Sequence, residues 1–270
     1  MTFAKIIFSD ISDSEKEMLV AMLSASGMEG FEETDTQLTA YVSRQHFDET
    51  SVNNIAQTLK LNYSVDDVPD KNWNEEWEAN FSPVVVENYC AVRAGFHEPI
   101  TNVTHEIIIT PKMSFGTGHH STTFMMIAEM KEIEFENKKV LDFGTGTGVL
   151  AILAAKSGAA QITAIDNDDW SITNAAENFQ TNHCENIKLL KREDADVNGS
   201  FDVILANIIR TVIIDNFPYF DSHLSSRGVL LLSGLLKEDE LEVTTKASEY
   251  GLTLLHKSEK GQWICLKFMR

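Results

Sequence analysis

The sequence predicts an α/β protein: a small α+β domain followed by a doubly wound, seven-stranded sheet that ends in an antiparallel hairpin. Three observations predict this fold. The first 65 residues follow the order strand-helix-strand-strand-helix-strand. A glycine-rich turn at residues 144–148 then joins a buried strand to a helix, and strands alternate with helices beyond it. A short connection near Gly261 pairs the last two strands as a hairpin.

The amino-terminal part is predicted from short apolar stretches and a capping box. Ser12 with Glu15 three residues later is the pattern of a helix start, and Gly27 suits the end of that helix. The predicted elements are strand 3–9, a helix after Ser12, strands 30–34 and 37–43, helix 48–60 and strand 62–65. This order is that of a ferredoxin-like sandwich, so residues 1–65 are predicted to form a domain.

Residues 66–78 differ from their surroundings, because they are acidic, contain a proline and show little periodicity. We expect a linker that runs into a short helical segment, with a second domain at 79–270. Trp73 and Trp77 lie four residues apart and would share a face of that helix. Packing of both rings against a neighbouring domain is a simpler role for them than a platform for stacking bases.

A second glycine loop, Phe115-Gly-Thr-Gly-His-His-Ser-Thr-Thr123, follows predicted strands at 83–87, 89–94 and 105–110. It enters a helix whose first turn carries Thr122 and Thr123. Hydroxyls and backbone amides at a helix start suit a carboxylate or a ribose edge. His119 and His120 are adjacent, so on a helix they would point about 100° apart and could not share a metal ion. We predict no metal site.

The rest of the chain alternates between apolar runs of strand length and stretches of helical periodicity. The predicted elements are helix 149–157, strand 161–166, helix 170–181, strands 187–191 and 201–206, helix 212–224, strand 229–233, helix 238–250, and strands 252–256 and 263–268. An ordinary dinucleotide-binding fold lacks the final hairpin.

The central motif is Val140-Leu-Asp-Phe-Gly-Thr-Gly-Thr-Gly148, in which Gly144 and Gly146 begin the turn. Glycine lets the backbone turn sharply and lets a ligand come close. Asp166 lies 22 residues after Gly144 and closes the next apolar strand. A carboxylate at that position can accept hydrogen bonds from both ribose hydroxyls of an adenosine. The motif therefore predicts a site for an adenosine-containing ligand.

Two ligand classes fit this motif: nicotinamide dinucleotides and S-adenosylmethionine. The dinucleotide pattern G-x-G-x-x-G has its third glycine where this chain has Val149. Asp142, two residues before Gly144, is also unusual for a dinucleotide site, and an acid there could hold the amino group or sulfonium surroundings of a cationic methyl donor. With the terminal hairpin, these differences favour S-adenosylmethionine.

Asn207 follows the strand predicted at 201–206 and would lie beside the switch point of the sheet. Its amide could orient a reacting amine or contact the cofactor, or it could cap the following helix. Asn207-Ile-Ile-Arg210 replaces the Asn-Pro-Pro-aromatic sequence that amino methyltransferases commonly have here, so a clamp for a planar base is not indicated. Asn207 is the candidate for positioning the substrate, and no catalytic acid or base is assigned.

Composition and charge limit where the protein can act and which partners it can bind. No apolar run reaches the length of a membrane span and no signal pattern begins the chain, so we expect a cytoplasmic protein, as a monomer. Cys90, Cys184 and Cys265 are far apart, which favours reduced, structural thiols. The formal net charge is −19, and residues 1–80 hold 16 Asp and Glu against 5 Lys and Arg, a net charge of −11. Such a field repels nucleic acid and attracts basic partners.

Four motifs together resemble the methyltransferases of ribosomal large-subunit protein eleven: 115–123, 141–152, Asp166 and Ala206-Asn-Ile208. The first is the most discriminating, because methyltransferases in general share only the second. The resemblance extends from about Trp73 to the carboxyl end, and it implies a Rossmann-like methyltransferase sheet.

The same resemblance implies a cofactor and a substrate. S-Adenosylmethionine would be contacted by Thr123, Gly144, Asp166 and Asn207. The small domain would hold a basic ribosomal protein of the large subunit, whose lysine side-chain amines and α-amino group would be methylated up to three times. We expect no direct nucleic-acid specificity.

Three alternatives remain at the level of the sequence: a methyltransferase for RNA or small molecules, a nicotinamide oxidoreductase, and a non-catalytic ribosome assembly factor. The acidic charge balance disfavours RNA as the substrate, and Val149 with the terminal hairpin disfavours the nicotinamide oxidoreductase. The intact set of motif residues disfavours the third.

Overall fold

The computed structural model describes residues 3–28, 30–68, 81–112 and 115–270. Contacts divide the chain into two compact units, Met1–Asn80 and Phe81–Arg270. Within the described ranges, no helix combines the length and the apolar character that crossing a membrane requires.

The described residues of the first unit form a four-stranded antiparallel sheet with two helices. Its elements are β1 Phe3–Ser9, α1 Asp13–Ala25, β2 Gly30–Glu33, β3 Gln37–Ser43, α2 Glu49–Leu59 and β4 Tyr63–Val68. The strand order is β2-β3-β1-β4. Phe8, Leu19 and Val52 are fully buried between the sheet and the helices. The predicted order of elements and the predicted capping box are both present, with Glu15 Oε2 accepting from the Ser12 backbone N–H at 2.8 Å.

The predicted linker at 66–78 lies mostly outside the described residues. Its first three residues, Asp66 to Val68, belong to β4 and pair with β1. The predicted helical segment with Trp73 and Trp77 is outside the described ranges, so the linker and its boundaries stay predictions.

The second unit contains a three-stranded sheet and a larger sheet. Its elements are β5 Val84–Val86, β6 Cys90–Ala94, β7 His105–Ile109, α3 Ser121–Met130, β8 Lys139–Phe143, α4 Val149–Lys156, β9 Gln161–Asp166, α5 Asp169–Thr181, β10 Ile187–Lys191, β11 Phe201–Asn207, α6 Arg210–His223, β12 Leu224–Leu236, α7 Glu240–Glu249, β13 Thr253–Lys260 and β14 Trp263–Met269.

The larger sheet, as described, has seven strands in the order β10-β9-β8-β11-β12-β14-β13. The terminal hairpin forms as predicted. Of its two strands, only β14 runs antiparallel to the strands that precede the hairpin, whereas β13 runs parallel to them. β14 inserts between β12 and β13, pairing antiparallel with both. The reason lies in composition: Ile264, Leu266 and Phe268 of β14 are buried, whereas the first half of β13 is exposed. The more apolar strand therefore takes the inner place.

Pairing with β14 also lengthens β12. The sequence predicts this strand at 229–233, whereas it runs from Leu224 to Leu236 and reaches the pair Leu236–Trp263. The register shifts between Leu232 and Leu235, and Gly234 occupies this irregularity with φ +82°.

Helices cover both faces of the larger sheet. One face packs on α3, α4 and α5 through residues such as Met126, Ile152 and Phe179, and the other packs on α6 and α7 through residues such as Phe217 and Val243. The sheet β5-β6-β7 forms a further layer on α4 and α5. Side chains on α5 and just after its carboxyl end form hydrogen bonds with the backbone at the edge of this layer. Among them, Asn178 Oδ1 accepts from the backbone N–H of Thr110 at 2.8 Å.

Candidate active site

A cavity of about 440 Å³ lies at the carboxyl edge of the larger sheet, where the strand order changes direction between β8 and β11. Five of the predicted site residues line it: Thr122, Gly144, Gly146, Asp166 and Asn207. This is the position at which open α/β sheets bind their ligands. The structure therefore brings these five predicted residues together at one edge of the sheet.

The central glycines are required by contacts within the protein. Gly144, Gly146 and Gly148 all have positive φ angles. A Cβ on Gly146 would collide with the carbonyl oxygen of Phe115, and one on Gly144 would collide with Cγ2 of Ile208. The sequence motif suggests that side chains are absent there for the sake of ligand approach. The structure adds that neighbouring loops of the protein pack tightly against this turn.

Asp166 fastens the glycine turn to the end of β9. Its Oδ2 accepts from the backbone N–H of Gly146 at 2.9 Å, and its Oδ1 accepts from the backbone N–H of Asp168 at 3.1 Å. The residue is half-buried and lines the cavity. Each oxygen keeps lone-pair capacity for a further donor, because a carboxylate can accept about four hydrogen bonds.

Asp142 lies beneath the glycine turn and does not line the cavity. Its Oδ2 accepts from the Thr145 hydroxyl at 2.6 Å and from the Ala151 backbone N–H at 3.2 Å. Its Oδ1 is buried without a hydrogen-bond partner among the described residues. Burial raises the pKa of this carboxyl to about 7. The structure thus gives Asp142 a role in holding the turn, and its predicted contact with the methyl donor stays a prediction.

The raised pKa of Asp142 predicts how stability depends on pH. Well below pH 4 the carboxyl is protonated in both the folded and the unfolded state. Between about pH 4 and 7 it ionises only in the unfolded state, so the free energy of unfolding falls as pH rises. A shift from 3.8 to about 7 corresponds to about 4 kcal/mol. In urea unfolding, Asp142→Asn should therefore gain up to about that much stability, relative to the unchanged protein, between pH 4.5 and 7.5. A difference that does not vary with pH would contradict this.

The side chain of Asn207 forms a hydrogen bond with α3, and it does not cap α6. Its Nδ2 donates to Thr123 Oγ1 at 3.2 Å, and both side chains are buried. The alternative that Asn207 caps the following helix is wrong, because that helix begins after Ile209 and has no side-chain cap. The Asn207 Oδ1 atom is buried with no hydrogen-bond partner among the described residues. An unpaired acceptor beside a cavity is a site for a ligand donor.

The loop before α3 closes one side of the cavity. Thr147 donates its backbone N–H to the Phe115 carbonyl at 2.9 Å and its hydroxyl to the Gly116 carbonyl at 2.7 Å, which joins the two glycine loops. His120 precedes α3, and its ring packs edge-on against Trp263 at 4.7 Å between centroids. His119 bonds elsewhere, with Nε2 at 2.8 Å from a backbone carbonyl at position 82.

A family comparison decides between the ligand classes. A profile of the family described as ribosomal protein L11 methyltransferase (PrmA) matches residues 6–270. The chain belongs to this family. A ribosomal protein L11 methyltransferase of Bacteroides thetaiotaomicron is 35% identical over 268 residues, covering 96% of each chain. One from Porphyromonas gingivalis is 40% identical over 261 residues, covering 93% of this chain and 90% of its own.

The solved structures agree with this assignment. The crystal structure of a ribosomal protein L11 methylase from Lactobacillus delbrueckii subsp. bulgaricus matches with a TM-score of 0.66 and 31% identity, covering 70% of this chain and 99% of that one. Membership in the family confirms three predictions: the resemblance, methyl transfer as the reaction, and S-adenosylmethionine as the methyl donor. The nicotinamide alternative is thereby set aside.

Several residues that line this cavity are not among the predicted site residues. They are Phe115, His120, Phe143, Asn167, Ser171, Arg192, Glu193, Ile208, Ile209, Val212, Gly234 and Trp263. Asn167, Arg192 and Ile208 each follow the last residue of a strand, so the rule that strand ends line the site could have found them. Gly234 and Trp263 carry no local signal, since they reach the cavity through the bulge in β12 and the insertion of β14.

Proposed function

We propose that this chain transfers methyl groups from S-adenosylmethionine to amines of ribosomal protein L11, on lysine side chains and at the amino terminus. The observation that carries the proposal is that the family assignment and the residues lining the cavity point to the same reaction. The relatives named above are ribosomal protein L11 methyltransferases, and the cavity holds five of the residues expected to form the methyl-donor site.

The cavity suits S-adenosylmethionine in charge and in hydrogen bonding. The half-buried carboxylate of Asp166 would accept from the ribose hydroxyls. The unpaired Asn207 Oδ1 would accept from an amino group of the methyl donor or of the substrate. Gly144 and Gly146 would form the floor of the site. When bound, S-adenosylmethionine supplies a methyl group on a positively charged sulfur, which a neutral amine can attack.

The chain's own residues would position the amine and keep water away. Thr123 fixes the amide of Asn207 through the 3.2 Å hydrogen bond, so its oxygen has a set orientation. Phe115, Ile209 and Trp263 give the cavity an apolar wall. An apolar wall beside a cationic sulfur disfavours an ammonium and lowers the pKa of a lysine amine. The catalytic contribution is therefore positioning and desolvation, with the proton leaving to water before attack.

The first unit would present the substrate, which assigns residues 1–65 to substrate recognition, 66–78 to a linker and 79–270 to methyl transfer. A net charge of −11 over residues 1–80 supports docking of a basic ribosomal protein. Action as a monomer in the cytoplasm, without direct recognition of nucleic acid, belongs to the same proposal.

The test combines a substrate assay with a binding-site variant. The purified chain, with labelled S-adenosylmethionine and L11 from the same organism, should place label on L11 amines, located by mass spectrometry. Asp166→Ala should weaken S-adenosylmethionine binding by about 1–3 kcal/mol in calorimetry, because ribose hydrogen bonds are lost.

Asp215→Ala is the matched control, since it removes the same charge from α6 outside the residues that line the cavity. It should leave the affinity for S-adenosylmethionine unchanged. Label on RNA instead of L11 would contradict the substrate assignment, and an unchanged affinity of Asp166→Ala would contradict the assigned binding site.

A further inference from the structure

One crossover of the larger sheet lacks a helix, and this leaves part of a sheet face open. The connections β8–β9, β9–β10, β11–β12 and β12–β13 each carry a helix, whereas residues 192–200 between β10 and β11 contain none. Parallel sheets are normally covered on both faces by such helices. Here only Ala195 and Val197 of the connecting loop are buried against the core beside α6 and α7. A groove remains over β9 and β10.

We call this the β10 groove. It consists of two neighbouring cavities of about 330 and 350 Å³ that share Thr163, Lys188 and Asn198. Lys139 lies at one end, and Lys191 with Arg192 lies at the other. Its total size is within the range of small-molecule sites.

The charge of the groove is opposite to that of the chain. Four cationic residues line it, and no acidic residue does so among the described residues. The whole chain has 41 acidic against 22 basic residues, so a lining without acids is a local departure from composition. An anion that enters this groove would therefore meet negatively charged side chains only beyond the residues that line it.

Two of the cations have no acidic partner in the part of the chain that the structure describes. Lys191 pairs with Asp169 at 2.6 Å and Arg192 pairs with Asp194 at 3.3 Å. In the described ranges, neither Lys139 nor Lys188 has a carboxylate oxygen within 4.0 Å of its ammonium group, and both are exposed. Unpaired ammonium groups at a concave polar surface are suitable donors for charge-assisted hydrogen bonds.

The shape of the groove indicates which anion it would take. Lys139 on β8 and Lys188 on β10 are separated by β9, so their backbones lie about 10 Å apart across the sheet, at about 4.8 Å per strand. A compact anion would reach only one end of this distance, whereas a linear chain of phosphates would reach both. The aromatic residue that lines the groove, Phe201, is 5% exposed, so it offers little surface for stacking a base. Recognition would therefore depend on phosphate groups.

We propose that the β10 groove binds a linear oligophosphate through Lys139 and Lys188, with Thr163 and Asn198 as neutral hydrogen-bonding groups. The site is distinct from the reacting centre, although Arg192 lines both the groove and the methyl-donor cavity. It requires no methyl transfer and stands independently of the substrate proposed above.

The test is calorimetric titration of the full chain with inorganic tripolyphosphate at about 0.15 M salt, where long-range attraction is screened beyond about 8 Å. One equivalent should bind. The double variant Lys139→Gln with Lys188→Gln should weaken binding about tenfold or more, because two charge-assisted hydrogen bonds are lost. Arg192 is left unchanged so that the methyl-donor cavity is undisturbed.

The control is Lys131→Gln with Lys246→Gln, which removes the same charge at surface lysines outside the groove. This control should bind tripolyphosphate as the unchanged protein does, and both double variants should retain their affinity for S-adenosylmethionine. Equal weakening by both pairs, or no saturable binding, would overturn the proposal. Similar affinities for tripolyphosphate and ATP would support it, and a preference for a short single-stranded oligonucleotide over both would overturn it in favour of nucleic acid.

Discussion

Methylation of a lysine peptide should accelerate about a hundredfold from pH 7 to pH 9 when the peptide is limiting. The nucleophile must be a neutral amine. The pKa of a free lysine, about 10.4, lies about 3.4 units above pH 7, so forming the neutral amine at pH 7 costs about 4–5 kcal/mol. The neutral fraction therefore grows about tenfold per pH unit. No general base is assigned, because the proton leaves to water before attack in the proposed mechanism. Initial rates of methyl incorporation with saturating S-adenosylmethionine measure the profile.

A lysine-free peptide with a free amino terminus is the internal control for this profile. Its amine has a pKa of about 7.7–8.0, so its rate should level off above about pH 8 while the lysine peptide continues to accelerate. A flat lysine profile between pH 7 and 9 would mean that deprotonation does not precede attack, and a base within the cavity would then have to be sought.

The replacement Gly234→Ala should be strongly destabilising. Gly234 has φ +82°, and a Cβ there would lie 2.7 Å from the Ile208 carbonyl carbon and 2.8 Å from its nitrogen. Backbone atoms cannot move aside as a side chain can. We expect a loss of about 2–5 kcal/mol in unfolding free energy, made up of about 1–2 for the left-handed backbone and about 1–3 for the clash.

Gly251→Ala separates these two contributions. Gly251 has φ +71°, but a Cβ there would meet nothing within 4 Å. Its replacement should cost only the backbone contribution of about 1–2 kcal/mol. Urea unfolding of both variants gives the difference, and calorimetry should find S-adenosylmethionine binding weakened only by Gly234→Ala, which alters the cavity wall. Equal losses of stability in the two variants would show that the contact with Ile208 is unimportant.

Residues whose positions follow from a strand end could be predicted from the sequence. Asp166 and Asn207 end β9 and β11, and the apolar runs that define those strands are local and clear. Their placement at one edge then follows from parallel pairing alone. The glycine turn was equally accessible, because alternating glycines between an apolar strand and a helix are typical of a tight turn at a ligand site.

Residues whose roles depend on distant pairing could not be predicted. Trp263 reaches the cavity because β14 inserts beside β12, a choice between two hairpin strands that short-range patterns do not fix. The hydrogen bonds of Asp142 could not be predicted for a different reason. Its position before the turn was clear, but whether its carboxylate faced the ligand or the turn depended on the Thr145 hydroxyl and the Ala151 N–H, which both donate to it.

The strand order has a consequence for how this protein behaves at high concentration. β10 and β13 occupy the two outer ends of the seven-stranded sheet, and unpaired outer strands are where separate molecules can join into larger aggregates. Both strands carry lysines, among them Lys188 on β10 and Lys257 on β13. Charged side chains at these positions would have to be desolvated for another chain to add, so the sheet resists lateral growth at both ends.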